Sequence, residues 1–170
     1  MTQGIGRHRA ELELKVRDYE CDMDHVVNNA VYLNYLEHAR HELLEGLGIR
    51  FGELSTQGVS LVVTRIELDF KASLKSGDAF IVRTSLTQKG RVRLQFNQAI
   101  HRKSDDRLML SGLVIGTALN ANRRPVIPQA LAELLGVPAP YEACELNAQC
   151  YPSAPVPDDL ESFDRMSDDA

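Results

Sequence analysis

The chain has 170 residues, 44% of them apolar and 6% aromatic, with no tryptophan. That suffices for one core, falls short of two large domains, and offers no aromatic platform for stacking single-stranded nucleic acid. The 19 basic and 24 acidic residues give a net charge of −5, and residues 151–170, with six acids and one arginine, carry that same −5. The remainder is close to neutral, which speaks against a nucleic-acid-binding face.

Cys21, Cys144 and Cys150 are scattered, with no CxxC pair. An odd, sparse set fits a reducing compartment, so a cytoplasmic protein without a disulfide framework is expected. No apolar window has the length of a membrane span, and no basic start with an apolar run marks a leader.

Residues 1–9 read as a flexible N-terminus. From Glu11 to Tyr19 the segment ELELKVRDY alternates Leu12, Leu14 and Val16 with Glu13, Lys15 and Arg17, the pattern of a half-buried strand. An acidic corner follows, with Glu20, Asp22 and Asp24, and then the longest helical pattern in the chain. Tyr32, Leu36, Ala39, Leu43 and Leu47 recur at helical spacing, joined by a second row of Leu33, Leu36, Arg40 and Leu44. Asn28 or Asn29 is placed to cap the helix, and Gly46 and Gly48 to end it. Glu37, His38, His41, Glu42 and Glu45 are left for the solvent side. The connector IRFGELSTQG reads as a loop.

The rest of the domain reads as four strands. Residues 59–71 set Ile66, Leu68 and Phe70 against Arg65, Glu67 and Asp69; a turn at Ser76–Asp78 leads into AFIVRTSLT; Lys89 and Gly90 turn the chain into a strand alternating Val92, Leu94, Phe96, Gln98 and Ile100. Asp105 and Asp106 turn it again into residues 108–119, where Gly112 and Gly116 either permit bending, mark a bulge, or are incidental. Pro125 and Pro128 bracket a short return before QALAELLG, a terminal helix. One helix after the first strand, then strands joined by tight turns, predicts an α+β domain over residues 10–137 with an antiparallel sheet curled around the helix. Residues 138–170 are rich in proline and acid, an extension expected to be partly disordered.

The corner carries the functional question. Were residues 18–22 extended, Asp18, Glu20 and Asp22 would share one face and Tyr19 and Cys21 the other. Asp22 would then stand near the free amides that open the helix, an arrangement suited to acyl hydrolysis: the acid attacks or activates water while the amides hold the tetrahedral oxygen. The competing reading is three solvated acids that cap the helix. Cys21 reads as a small packing residue. No histidine pair at ligand spacing converges here, no twelve-position calcium loop is present, and neither GxSxG nor a glycine-rich nucleotide loop occurs.

The segment ECDMDHVVNNAVY followed by LNYLEHARHELLEGLG resembles the opening signature of the 4-hydroxybenzoyl-CoA thioesterase family of hotdog-fold proteins. That pattern has an aspartate near the strand end, a glycine three positions later and a tyrosine ten positions after the aspartate. The VVNNAVY run most resembles the plant chloroplast acyl-carrier-protein thioesterases of this group, and bacterial long-chain acyl-CoA thioesterases carry a similar NNA segment. The resemblance covers roughly residues 10–136, with support from VSLVVTRIELDFKASLKSGD and RRPVIPQALAELL.

The resemblance implies a hotdog fold and a thioesterase. Asp22 would be the nucleophile or general base and the Asn29 backbone N–H an oxyanion donor, with His25, Asn28, Tyr32, Val62 and Val63 bordering the substrate. Val62 and Val63 would serve either across a dimer interface or in core packing, and Glu37 matches an acid usual on the central helix. His25 stands where the family has glycine. The implied substrate is an acyl-CoA or acyl-carrier-protein thioester, the assembly a homodimer or homotetramer, with no metal or redox cofactor. Arg91, Arg93, Arg102, Lys103, Arg107, Arg123 and Arg124 either surround a phosphate-rich entrance or form a solvated basic surface. A non-catalytic acyl-CoA-binding or sensing protein is the alternative; a dehydratase lacks its expected histidine and acid pairing.

Overall fold

A computed structural model describes residues 8–136; the N-terminal residues before His8 and the C-terminal extension lie outside the described residues. Strand β1 (His8–Lys15) starts earlier than its alternation indicates. His8 and Arg9, expected in the flexible lead-in, pair with Leu86 and Ser85, and the His8 ring hydrogen-bonds the Leu134 carbonyl at 2.8 Å. Pairing partners from distant sequence thus extend the strand.

Helix α1 (Asn29–Gly46) follows an irregular corner and is capped by Asn28, whose side-chain oxygen accepts the Ala30 N–H at 2.9 Å. Tyr32, Tyr35, Leu36, Ala39, Leu43 and Leu44 are buried, whereas Leu33, expected in the second apolar row, is exposed at the edge of the buried face. Arg40 is buried with them. It donates to Gln98 Oε1 at 3.0 Å, while Gln98 Nε2 donates to the Leu36 carbonyl at 2.9 Å and to Thr84 Oγ1 at 3.0 Å. This chain of donors satisfies a cation that burial would otherwise penalise, and desolvation lowers the Arg40 pKa. The connector is not a loop: it contains α2 (Phe51–Thr56), which buries Leu54. Six residues are too few for a helical period to show in sequence.

The strands are β2 (Ser60–Phe70), β3 (Ala79–Lys89), β4 (Arg93–Arg102), β5 (Leu108–Leu119) and β6 (Pro125–Val126), followed by α3 (Gln129–Leu135). Their order is β1-β3-β4-β5-β2, antiparallel throughout, with β6 pairing β5. The curved sheet wraps α1, as expected. One half of the core joins Tyr32, Tyr35 and Leu36 to Phe80, Val82 and Ile100; the other joins Leu43 and Leu44 to Leu86, Phe96 and Val114, closed by α3.

Gly112 and Gly116 mark close approach. A Cβ at Gly112 would lie 2.7 Å from Leu68 Cδ2, and one at Gly116 would lie 2.9 Å from the Val62 carbonyl oxygen. The register irregularity sits opposite, on β2 between Val63 and Arg65.

Candidate active site

The corner between β1 and α1 is a tight hairpin set against the helix start. Residues Asp18–Glu20 form a single 3-10 turn rather than an extended run. The three acids therefore do not share a face: Asp18 and Asp22 are exposed, and Glu20 is buried. The hairpin closes by rungs, with Asp22 N–H donating to the Val26 carbonyl at 2.9 Å, a bridge between Cys21 and Val27, and Asn28 N–H donating to the Glu20 carbonyl at 3.0 Å. Cys21 is half-buried against the core, in line with its packing role.

Two groups in this corner are left with unused capacity. Asp22 Oδ1 accepts the Asp24 N–H at 2.9 Å and the Val26 N–H at 3.4 Å, whereas Oδ2 has no hydrogen-bond partner among the described residues. One oxygen is tethered and the other is available. The Asn29 N–H, at the first helical position, likewise has no partner among the described residues, because a helix leaves its first amides without an internal acceptor. The adjacent amides are taken, Ala30 by the Asn28 side chain and Val31 by the Asn28 carbonyl.

His25 adopts φ 58°, the left-handed region that glycine enters without steric cost. This accounts for the glycine at that place in the family pattern, and histidine is among the residues that tolerate it. The His25 side chain is exposed at the hairpin tip.

The other predicted substrate contacts separate. Asn28 is exposed, but its side-chain oxygen is used as the cap. Tyr32 is 2% exposed, packs edge-on against Tyr35 and Phe70, and accepts the Leu74 N–H at 2.9 Å through its hydroxyl. Tyr32 is thus held in the core by its ring contacts, with its hydroxyl engaged by the backbone that follows β2. Val62 and Val63 lie on β2, an outer strand of the sheet, and Val63 is 47% exposed, with Ile66 and, at the far end of the strand, Phe70 also exposed. Core packing does not describe Val63; an unpaired strand edge with apolar side chains does. Glu37 is exposed on α1, 4.0 Å from the His41 ring.

The basic residues do not form one entrance. Arg93 pairs in register with Thr117, at the end of the sheet where Arg91, Arg123 and Arg124 lie in neighbouring turns, whereas Arg102 pairs with Phe80, at the end that carries the corner. There Arg102 is held by Asp105 at 3.0 and 2.7 Å, and Lys103 by Glu13 at 2.6 Å. The pairing with Arg102 pulls the Asp105 pKa down to about 2.

A cleft of about 1360 Å³ runs between β1 and α1, lined by Leu14, Val16 and Tyr35 with Lys15, Arg17 and His38, and reaching Glu20. Asp22 and Asn29 do not line it. The sequence missed the contact that Glu20 makes there: its Oε2 accepts the Tyr35 hydroxyl at 2.6 Å. Tyr35 does fall on the helical period of the core, which was the one available signal.

No group of three or more histidine, cysteine or acidic side chains is placed to hold a metal among the described residues. No described helix is long and apolar enough to cross a membrane.

A curved antiparallel sheet wrapped around one long helix is the hotdog fold. The chain belongs to the thioesterase-like superfamily, whose sequence profile matches residues 16–162. It is 39% identical over 122 residues to the acyl-acyl carrier protein thioesterase ATL3, chloroplastic, of Arabidopsis thaliana, a match covering 71% of this chain and 64% of that protein. It is 31% identical over 78 residues to the long-chain acyl-CoA thioesterase FadM of Escherichia coli, covering 46% of this chain and 58% of the other. Among solved structures, a 1,4-dihydroxy-2-naphthoyl-CoA thioesterase from Synechocystis superposes with a TM-score of 0.71 at 19% identity, covering 77% of this chain and 96% of that one, and shares the fold.

Proposed function

We propose that this protein hydrolyses acyl thioesters carried by coenzyme A or acyl-carrier protein, with Asp22 as nucleophile or general base and the Asn29 N–H as oxyanion donor. The observation that carries the reading is a pair of groups without partners among the described residues: in the hairpin, a carboxylate tethered through Oδ1 and not through Oδ2, and at the helix start that follows it, the Asn29 amide. A carboxylate fixed by one oxygen presents the other in a defined direction, and an amide at the positive end of a helix stabilises charge developing on a carbonyl oxygen. In hydrolysis, Asp22 either adds to the thioester carbon and expels the thiolate, leaving a mixed anhydride whose cleavage by water restores the carboxylate and releases the proton that the thiolate takes up, or it takes a proton from water as that water adds to the carbon and returns the proton to the departing sulfur.

The names of the relatives support the substrate class. An Arabidopsis relative is named for acyl-carrier-protein thioesters and an Escherichia coli relative for long-chain acyl-CoA. The reaction needs no redox cofactor, and coenzyme A enters only as part of the substrate. The apolar edge of β2, with Val63, Ile66 and Phe70, is the surface on which we place a second copy of this chain. Asp22 is exposed in the single chain, so a partner across that edge, bringing its own copy of β2 with Val62 and Val63, would supply a wall beside it.

The test is thiol release from a series of CoA thioesters of increasing chain length, with aryl thioesters and a carrier-bound acyl group included. Turnover of at least one thioester supports hydrolysis. Tight retention of acyl-CoA without product favours the non-catalytic binding alternative.

A further inference from the structure

Glu20 joins three pieces of the corner. It is 8% exposed, and Oε2 accepts both the Tyr35 hydroxyl at 2.6 Å and the Arg17 N–H at 2.7 Å, while Oε1 lies 3.6 Å from the Arg17 guanidinium. Its carbonyl accepts the Asn28 N–H at 3.0 Å. The strand exit, the helix-side leg of the hairpin and the second turn of α1 are thereby tied through one residue. A buried carboxylate is costly unless donors surround it, and once they do it is held in one geometry. Burial and the adjoining carboxylate also raise the Tyr35 pKa, so the phenol remains a donor through the whole physiological range.

The Asp22 hairpin depends on this anchor. Between Asp22 and Val26 the described bonds are local ones within the loop, and Met23, Asp24 and His25 are exposed. The hairpin is tied to the body along its two legs, by Val27, buried in the core with its N–H bonded to the Leu74 carbonyl at 2.9 Å, and by Cys21 packed beside it and the Glu20 junction. The Glu20 leg stands two residues before the acid, and its tie to α1 runs through Tyr35.

We propose that Glu20 and Tyr35 form a positioning pair that aims the free oxygen of Asp22 at the point opposite the Asn29 amide. Neither residue needs to touch the reacting atoms. The pair acts by holding the hairpin in register with the helix that carries the oxyanion donor, and a misplacement of about 1 Å in such a geometry can cost up to about a hundredfold in rate. The inference rests on the Asp22 reading above.

The experiment uses the full chain and the CoA thioester turned over fastest. Tyr35→Phe, Asp22→Asn, the double variant and Leu54→Ala are compared for kcat, KM and thermal midpoint. Leu54→Ala removes a buried side chain under α2, away from the corner, and serves as the stability control. The expected result is a fall of about tenfold in kcat for Tyr35→Phe, with KM held within about twofold, and no kcat loss for Leu54→Ala at an equal or lower midpoint. In the Asp22→Asn background Tyr35→Phe should add nothing, because no carboxylate remains to be aimed. Full kcat in Tyr35→Phe, or the same fold loss in both backgrounds, overturns the pair while leaving Asp22 in place. Wild-type turnover in Asp22→Asn removes the acid reading, and the pair's role with it. Where Tyr35→Phe does not fold, Glu20→Gln gives the same comparison, since glutamine keeps the shape and loses the charge.

Discussion

Replacing Asp22 with asparagine removes a negative charge and the candidate nucleophile while preserving the loop around it. The asparagine Oδ1 can still accept the amides of Asp24 and Val26, which the aspartate binds at 2.9 and 3.4 Å. The new amide group replaces Oδ2, an exposed atom without a partner, so no buried polar group is orphaned. Exchanging a charged acceptor for a neutral one at an exposed turn costs about 0.5–1 kcal/mol at most. Folding should therefore persist, with a thermal midpoint lower by about 5 °C or less. Chemistry responds differently, because asparagine neither takes a proton nor forms an anhydride with the acyl group. The expected fall in kcat is about a hundredfold or more, equivalent to about 2.7 kcal/mol of lost transition-state stabilisation. Thiol release followed with a chromogenic disulfide reads kcat and KM, and circular dichroism with a thermal melt reads folding. Near-wild-type kcat in a folded Asp22→Asn variant, on the thioester that the parent turns over fastest, would refute the reasoning.

Other predictions follow from packing and titration. Gly116→Ala should destabilise by about 1–3 kcal/mol, because the new Cβ meets a backbone carbonyl oxygen at 2.9 Å; Gly112→Ala should cost less, since its obstacle is the movable end of Leu68, and chemical denaturation ranks the two. Val63→Asp combined with Ile66→Asp should shift the protein to monomer by light scattering and depress turnover; an unchanged assembly would remove β2 as the interface. In an ultraviolet titration, Tyr32 and Tyr35, raised above 10.0 chiefly by burial, should resist ionisation until the protein unfolds. Because a raised folded value favours the neutral phenol, their contribution to stability is complete below pH 10.0 and is lost as pH climbs toward the folded values.

Much of the candidate site was legible because its signals are local. Asp22, the capping asparagine and the free helix-start amide all follow from a short stretch in which a strand ends and a helix begins. The roles of Tyr32 and Glu20 were not legible, because both depend on partners supplied from elsewhere: the Leu74 amide for Tyr32, the Tyr35 hydroxyl for Glu20. The seven basic residues looked like one group in sequence, yet β4 carries Arg93 and Arg102 to its opposite ends. Helix α2 escaped notice because its evidence is the burial of Leu54, which a six-residue segment does not advertise.

By itself the sequence determined the order of the five long strands around the main helix, that amphipathic helix and the acid that precedes it, since apolar periodicity and capping chemistry act over neighbouring residues. Tertiary structure alone decided which acid is buried and which is free, why glycine is required opposite the β2 irregularity, and which strand leaves its apolar edge open. Those outcomes depend on atoms brought together from distant parts of the chain, and no local pattern encodes the distance between them.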